Sequence, residues 1–245
     1  MAKYLILDNE KVIIKGNHDD NVTVIIRTDK PDLDYQLSDG EYNILVFVDY
    51  AGDINMNERG RIDRANVKMT YFELNDHQFC INSNLDVYLD SSLQVLTIVL
   101  ANSRKRFDFN LYNKEKGSTV EIANNIVCLA DADLIFNCIG IIEKGAKAAK
   151  CHQKSRCLTI DDPKRAKVLP ILKIDENDVE ASHSLSCGTI DEDVLFYMNS
   201  RGLSKHDALN LIVNSYLLPD EDFYKKYEDG AIIREMALRK VGFLC

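Results

Sequence analysis

At 245 residues, with 46% hydrophobic and 28% charged side chains, the chain has enough apolar material for a substantial core, which excludes an intrinsically disordered protein. The formal net charge of −9, with Lys and Arg scattered among acids, argues against a nucleic-acid binder, because neutralising phosphates calls for a clustered basic face. No apolar run reaches membrane-span length and the run before Asp8 is too short for a signal-peptide core, while seven irregularly spaced cysteines fit a reducing compartment, so the expectation is a cytoplasmic protein.

In chain order, strand-length apolar or alternating segments recur at Tyr4 to Leu7, Val22 to Ile26, Ile44 to Val48, Val67 to Leu74, Val87 to Leu89, Val95 to Leu100 and Phe107 to Leu111. Turn chemistry separates them at Gly16-Asn17, Asp39-Gly40, Gly52-Asp53 and Lys116-Gly117. No long amphipathic helix interrupts this region, so the body is predicted to be all-β. Without a strict repeat, periodicity leaves sandwich, jelly roll and parallel β-helix open. Leu172, Ile174, Val179 and Ala181 continue the period of two.

The pattern changes near Gly188. Val194, Leu195 and Met198, then Leu209, Ile212 and Tyr216, follow helical spacing. Thr189 with Glu192, and Ser204 with Asp207, have the spacing of capping boxes. Arg201-Gly202 is expected to end the first helix and Pro219 the second, and a third is expected from Asp220 to Leu244 with Gly230 as its interruption. The division predicted is thus a β core over residues 1–188 and a helical domain over 189–245.

His183 and Cys187 sit at this junction. A neutral imidazole can ligate iron, although by residue type alone a lone histidine reads as structural. Four residues apart on an extended strand, the two share a face but lie roughly 13 Å apart, so they cannot share one metal ion, and Cys187 reads as a small buried residue at the turn. Cys151, His152 and Cys157 lack the spacing of paired zinc ligands; Cys128 and Cys138 read as core, and Cys245 as an exposed, oxidation-prone thiol. Phosphate-binding glycine loops, a dinucleotide fingerprint and a GxSxG elbow are all missing from the sequence, which argues against an ATPase, a dehydrogenase or a serine hydrolase.

Four blocks in order, GIIEKGAKAAKCHQ from Gly140, LPILKIDENDVEASH ending at His183, GTIDEDVLFYMNSRGLS from Gly188 and DALNLIVNSYLLP ending at Pro219, resemble the C-terminal core of the SufB/SufD family of iron–sulfur cluster assembly scaffolds. The resemblance covers residues 138–219 through these blocks and the rest through strand character. It implies a right-handed parallel β-helix with a small C-terminal helical domain, the region from Gly140 to Ile174 forming its last coils. It also implies a non-enzymatic scaffold whose partners are a SufC-like ATPase, docked through Asp191 to Gly202 and Asp207 to Tyr216, and a SufB-like subunit or a second copy of the chain.

By the same resemblance Phe196, Tyr197 and Arg201 are the candidate ATPase contacts; packing between the helices is the alternative for the two aromatics. His183 matches a histidine at the SufB–SufD interface, where a transient iron–sulfur cluster would form rather than a stably bound one, with Cys187 a weaker candidate at that interface. Ile174 stands at the position matched to the essential SufB cysteine, which makes the chain SufD-like and places the missing thiol on a partner. The N-terminal helical domain of long members has no counterpart in the sequence. Two other readings remain: a carbohydrate-active β-helix enzyme using paired carboxylates, and a SufD relative with a purely structural role.

Overall fold

The computed structural model describes residues 2–7, 11–16, 20–160, 165–227 and 230–242. Thirteen strands come first: β1 (Ala2–Leu7), β2 (Lys11–Gly16), β3 (Asp20–Ile26), β4 (Asp32–Val48), β5 (Ile54–Glu73), β6 (Phe79–Val87), β7 (Ser92–Ala101), β8 (Arg104–Asn113), β9 (Thr119–Cys128), β10 (Asp133–Ile142), β11 (Ala149–Thr159), β12 (Ala166–Ile174) and β13 (Val179–Thr189). Among the described residues every strand pairing is parallel, and the chain winds as a β-solenoid of about six turns. Parallel neighbours need a crossover between them. Here each crossover is itself the opposite wall of the coil.

One wall stacks β2, the first halves of β4 and β5, then β6, β8, β10 and β12. The other stacks β1, β3, the second halves of β4 and β5, then β7, β9, β11 and β13. Along the second wall Asn21 lies beside Asn43, followed by Lys68, Gln94, Glu121, His152 and Ser182. The coil therefore grows from 22 residues (21 to 43) to 31 (121 to 152), which hides the structural repeat from a search at fixed period.

A left-handed residue recurs at the corner between the walls: Asp39, Arg64, Asp90, Gly117 and Ala148 have φ of 51°, 51°, 47°, 71° and 56°. Asp and Gly tolerate this region. Arg64 does not favour it, and its guanidinium is held by Asp39 of the preceding coil, Nε to Oδ1 at 2.8 Å. The turn expected at Asp39-Gly40 is such a corner, taken without leaving β4. Of the segment expected at Val87 to Leu89 only Val87 is in a strand, as the last residue of β6, whose earlier residues alternate apolar with Asn and Ser and so give a weaker signal.

The bore is filled in layers. Phe107 stacks between Phe79 and Phe136, with ring centroids 5.3 and 4.9 Å away, and Val168 lies in register beyond Phe136. Buried ionisable groups inside find partners: the Glu58 carboxylate accepts from Tyr71 at 2.8 Å and from Ser83, and Lys105 meets one oxygen of Glu73.

Four helices follow: α1 (Glu192–Ser200), α2 (Lys205–Leu217), α3 (Glu221–Tyr224) and α4 (Gly230–Gly242). Asp191 caps α1 by accepting from the Asp193 amide, so the expected box from Thr189 does not form; Thr189 is still in β13. Half of the second box forms: Ser204 Oγ caps α2 by accepting from the Asp207 amide at 3.0 Å, but the Asp207 carboxylate accepts from the Ser204 hydroxyl, at 2.6 Å, and not from its amide. Gly202, with φ of 92°, follows the end of α1, and α2 stops two residues before Pro219. The third helical stretch divides into α3 and α4, and the expected boundary Leu244 lies outside the described residues.

Val213 and Leu217 of α2, with Tyr224, Ile233, Ala237 and Val241, cover the outer face of the second wall at Phe47, Phe72, Ile98 and Val127. The buried stripe of α2 runs through Ala208, Val213 and Leu217, while the expected Ile212 and Tyr216 flank it half-buried. The helices are thus anchored to the β body by a second apolar core.

Candidate functional site

The solenoid ends on β12 and β13; the interval from Gly140 to Ile174 reaches the end of β12, and β13 lies beyond it. Each is the last strand of its wall, and among the described residues neither has a further strand partner. Their outer edges carry unpaired backbone donors and acceptors, the feature by which one sheet extends onto another. Apolar side chains decorate this rim: Leu169 is 50% exposed and Leu185 42%, with Ile171 and Ile174 also exposed.

His183 lies on β13 in register with Gln153, a residue of β11 that is almost wholly buried in the bore. By the alternation of the strand, Val179, Ala181, His183, Leu185 and Cys187 therefore continue the inward column of β11. They are inward in direction yet solvent-exposed or half-buried, because no further coil covers them. This corrects the expectation for Cys187, which is exposed, while its register partner Cys157 is buried. The two candidate residues share a face, four residues apart on the strand.

Beneath His183, Gln153 Nε2 donates to the Ile171 carbonyl at 3.1 Å and so ties β11 to β12 across the bore, whereas its Oε1 has no partner. Gly140 makes room for this amide: a Cβ there would fall 2.8 Å from Gln153 Nε2 and closer still to Cys151 Sγ. Buried thiols of the bore are held protonated. Burial pushes Cys128 up to about 11 and Cys151 up to about 12, and raises Cys138 and Cys157 further, so none is a thiolate at neutral pH. Cys138 and Cys128 are core, as their neighbours predicted; Cys245 lies outside the described residues. Cys151 and Cys157 point into the bore while His152 points out and meets Ser182 Oγ at 2.8 Å, so these three do not converge.

The second candidate group is on α1, a helix with no buried residue. Phe196 is 74% exposed and Tyr197 58%, and the Arg201 guanidinium sits 5.2 Å from the centre of the Tyr197 ring. Packing between helices does not account for either aromatic. On the outer face of the second wall, a groove of about 590 Å³ runs past Lys68, Glu121, His152 and Lys154 to Phe223 and Tyr227. Among the described residues its one carboxylate is Glu121, which accepts from Gln94 at 3.1 Å, so no carboxylate pair of the kind glycoside hydrolysis requires is found among them in this groove.

Compared with known families, residues 53–216 match the model for the SUF system FeS cluster assembly SufBD core domain, from the start of β5 almost to the end of α2. The chain belongs to the SufBD core family. Its SufBD relatives include the iron–sulfur cluster assembly protein SufD of Bacillus subtilis, 34% identical over 60% of this chain and 34% of that protein. Two SufBD family proteins, from Synechocystis and Pyrococcus horikoshii, are 33% and 38% identical over 31% and 33% of this chain, or 16% and 18% of their own lengths. The chain thus spans about a third or less of the curated relatives it matches. Within this SufBD core, Gln153, Leu185 and Cys157 are the site neighbours that sequence reasoning missed. Coil register is the signal that finds them, and it needs the coil lengths of 22 to 31 residues to be known first. No described helix is long and apolar enough to cross a membrane.

Proposed function

We propose that this SufBD-core chain is a SufD-like, non-enzymatic scaffold that handles an iron–sulfur cluster as transient cargo where its last coil meets a second subunit. The observation carrying this reading is an exposed imidazole, His183, on a coil whose two strand edges are both unpaired. An accessible imidazole can offer a lone pair to iron, while the buried thiols behind it are protonated and cannot. Further ligands then come from across the rim, from a SufB-type subunit supplying a cysteine or from a second copy of the chain. Strand edges and the apolar residues Leu169 and Leu185 give that partner backbone hydrogen bonds and burial.

The second partner is a SufC-type ATPase, which docks on α1 through Phe196, Tyr197 and Arg201, residue types enriched at interface centres. Nucleotide hydrolysis in that partner favours one arrangement of the rim over another and so controls access to His183. The expectation is a soluble assembly in the cytoplasm, free of nucleic acid and membrane.

Two measurements test this. Co-purification with a SufC-type ATPase should yield a complex that Phe196→Ala weakens by about 2 kcal/mol, roughly thirtyfold in Kd, with the fold intact; no complex with the parent chain refutes the docking. Anaerobic reconstitution of the assembled subunits with iron and sulfide should give cluster absorbance that His183→Ala removes. Equal absorbance in both proteins leaves a purely structural role.

A further inference from the structure

The inward column at the open end contains two thiols from adjacent coils. Cys157 of β11 and Cys187 of β13 are in direct register on adjacent strands, and the Cys187 thiol is among the neighbours that raise the Cys157 pKa. Adjacent strands lie about 4.8 Å apart, inside the range of roughly 4.4–6.8 Å between the Cα atoms of a disulfide. Their environments differ: Cys187 is exposed and Cys157 is buried. Cys128 is also near, but its register partner is Thr159, which makes it a diagonal neighbour of Cys157.

We propose that Cys157 and Cys187 form an oxidant-sensitive pair, closed by hydrogen peroxide into a disulfide between the last two coils. The accessible Cys187, as thiolate, attacks one peroxide oxygen; the O–O bond breaks, hydroxide leaves and takes up the proton that Cys187 gave, and a sulfenic acid remains. Cys157 sulfur then attacks the sulfenic sulfur. The S–O bond breaks, and the hydroxyl leaves as water with the Cys157 proton. The two thiols lose two electrons and two protons in all, and one peroxide becomes two waters. Burial, which keeps Cys157 protonated and away from solvent, makes it a poor first reactant with peroxide, while its register with Cys187 places its sulfur to resolve the sulfenic acid. The bridge ties the coil carrying His183 to the body, and it stands whether or not that histidine meets a cluster.

The test uses the full chain, purified without oxygen, exposed to equimolar hydrogen peroxide, alkylated and digested. Trypsin cuts after Arg156 and Lys173, so the two thiols fall on different peptides and Cys157 is separated from Cys151. The expected product is a Cys157–Cys187 linked pair, a whole-chain mass lower by two hydrogens, and reversal by dithiothreitol. Cys187→Ser, at an exposed position that leaves packing intact, abolishes the link. In Cys157→Ala the reaction stops at the sulfenic acid, so dimedone labelling of Cys187 rises severalfold over the parent. A parent chain that dimedone labels as strongly as Cys157→Ala, that bridges Cys187 to another cysteine, or that yields no linked pair overturns the proposal.

Discussion

Replacing Lys105 by methionine tests how far one buried charge pair holds a coil together. The ammonium, fully buried, donates to Glu73 Oε1 at 2.7 Å and to the carbonyls of Asn75 and His77 at 2.5 and 2.7 Å, so a residue of β8 fixes the connection that leaves β5 and enters β6. Methionine keeps the aliphatic stem but leaves Glu73, itself 1% exposed, without the ammonium that pairs with it directly. Its second oxygen already lacks a partner. Removing one member of a buried pair costs about 3–5 kcal/mol, a large share of a total stability of roughly 5–15 kcal/mol. Lys105→Met should therefore lose that amount in urea unfolding at pH 7. Glu73→Gln added to it should restore much of the loss, because the orphan charge is gone.

The deficit also has a pH signature. Burial raises the Glu73 pKa above 4.5 even with Lys105 beside it, and losing Lys105 removes an influence that lowers it. A carboxyl with a raised folded pKa contributes stability that is fully present below its unfolded value and is lost as pH rises through the folded one. The variant's deficit should widen as pH rises through the parent's folded Glu73 value, which lies above 4.5, and narrow on acidification below it. A loss under about 1 kcal/mol, or a deficit flat with pH, would refute the reasoning.

Gly140→Ala should cost about 1–3 kcal/mol by displacing Gln153 and Cys151, and should lower cluster yield on reconstitution without touching His183; full stability by thermal melting would show that the space is not needed. Glu58→Gln should remove a fall in stability: burial raises the Glu58 pKa above 4.5, so the parent loses stability as pH rises through that folded value and the variant does not. Parallel urea-midpoint profiles for the two proteins contradict this. Phe136→Ala opens the aromatic stack next to the last coil and should cost about 3–5 kcal/mol, with amide exchange in β12 accelerating most; unchanged exchange there counts against coupling between layer and rim.

Much of the fold was legible because inward residues alternate with polar outward ones in strands such as β8, where Phe107, Phe109 and Leu111 alternate with Arg106, Asp108 and Asn110, and because Ser204 and Gly202 carry local conformational requirements. The choice of a parallel β-helix was not legible from period alone. Its coils differ in length, and β4 and β5 pass through their corners as continuous strands, so neither a repeat nor a break marks the turn. The family blocks supplied that choice. His183 was singled out by the same blocks, but its surroundings were not: Gln153 lies thirty residues before His183, and Cys157 thirty before Cys187, and they become neighbours only through coil register. Cys187 was misjudged because the strand pattern gives the direction of a side chain and not whether anything lies above it.

A structure in which each turn touches only the turns before and after it has no uniform stability. Interior turns are gripped from both sides, whereas the terminal one bearing His183 is gripped from one side and by no overlying layer. Like the opposite end, where β1 and β2 are each paired on one side, it is therefore a portion that frays early on warming and whose ordering gains from a bound neighbour. Recognition and completion of the fold become a single event there, with affinity for a companion set partly by how loosely the final turn is held in its absence.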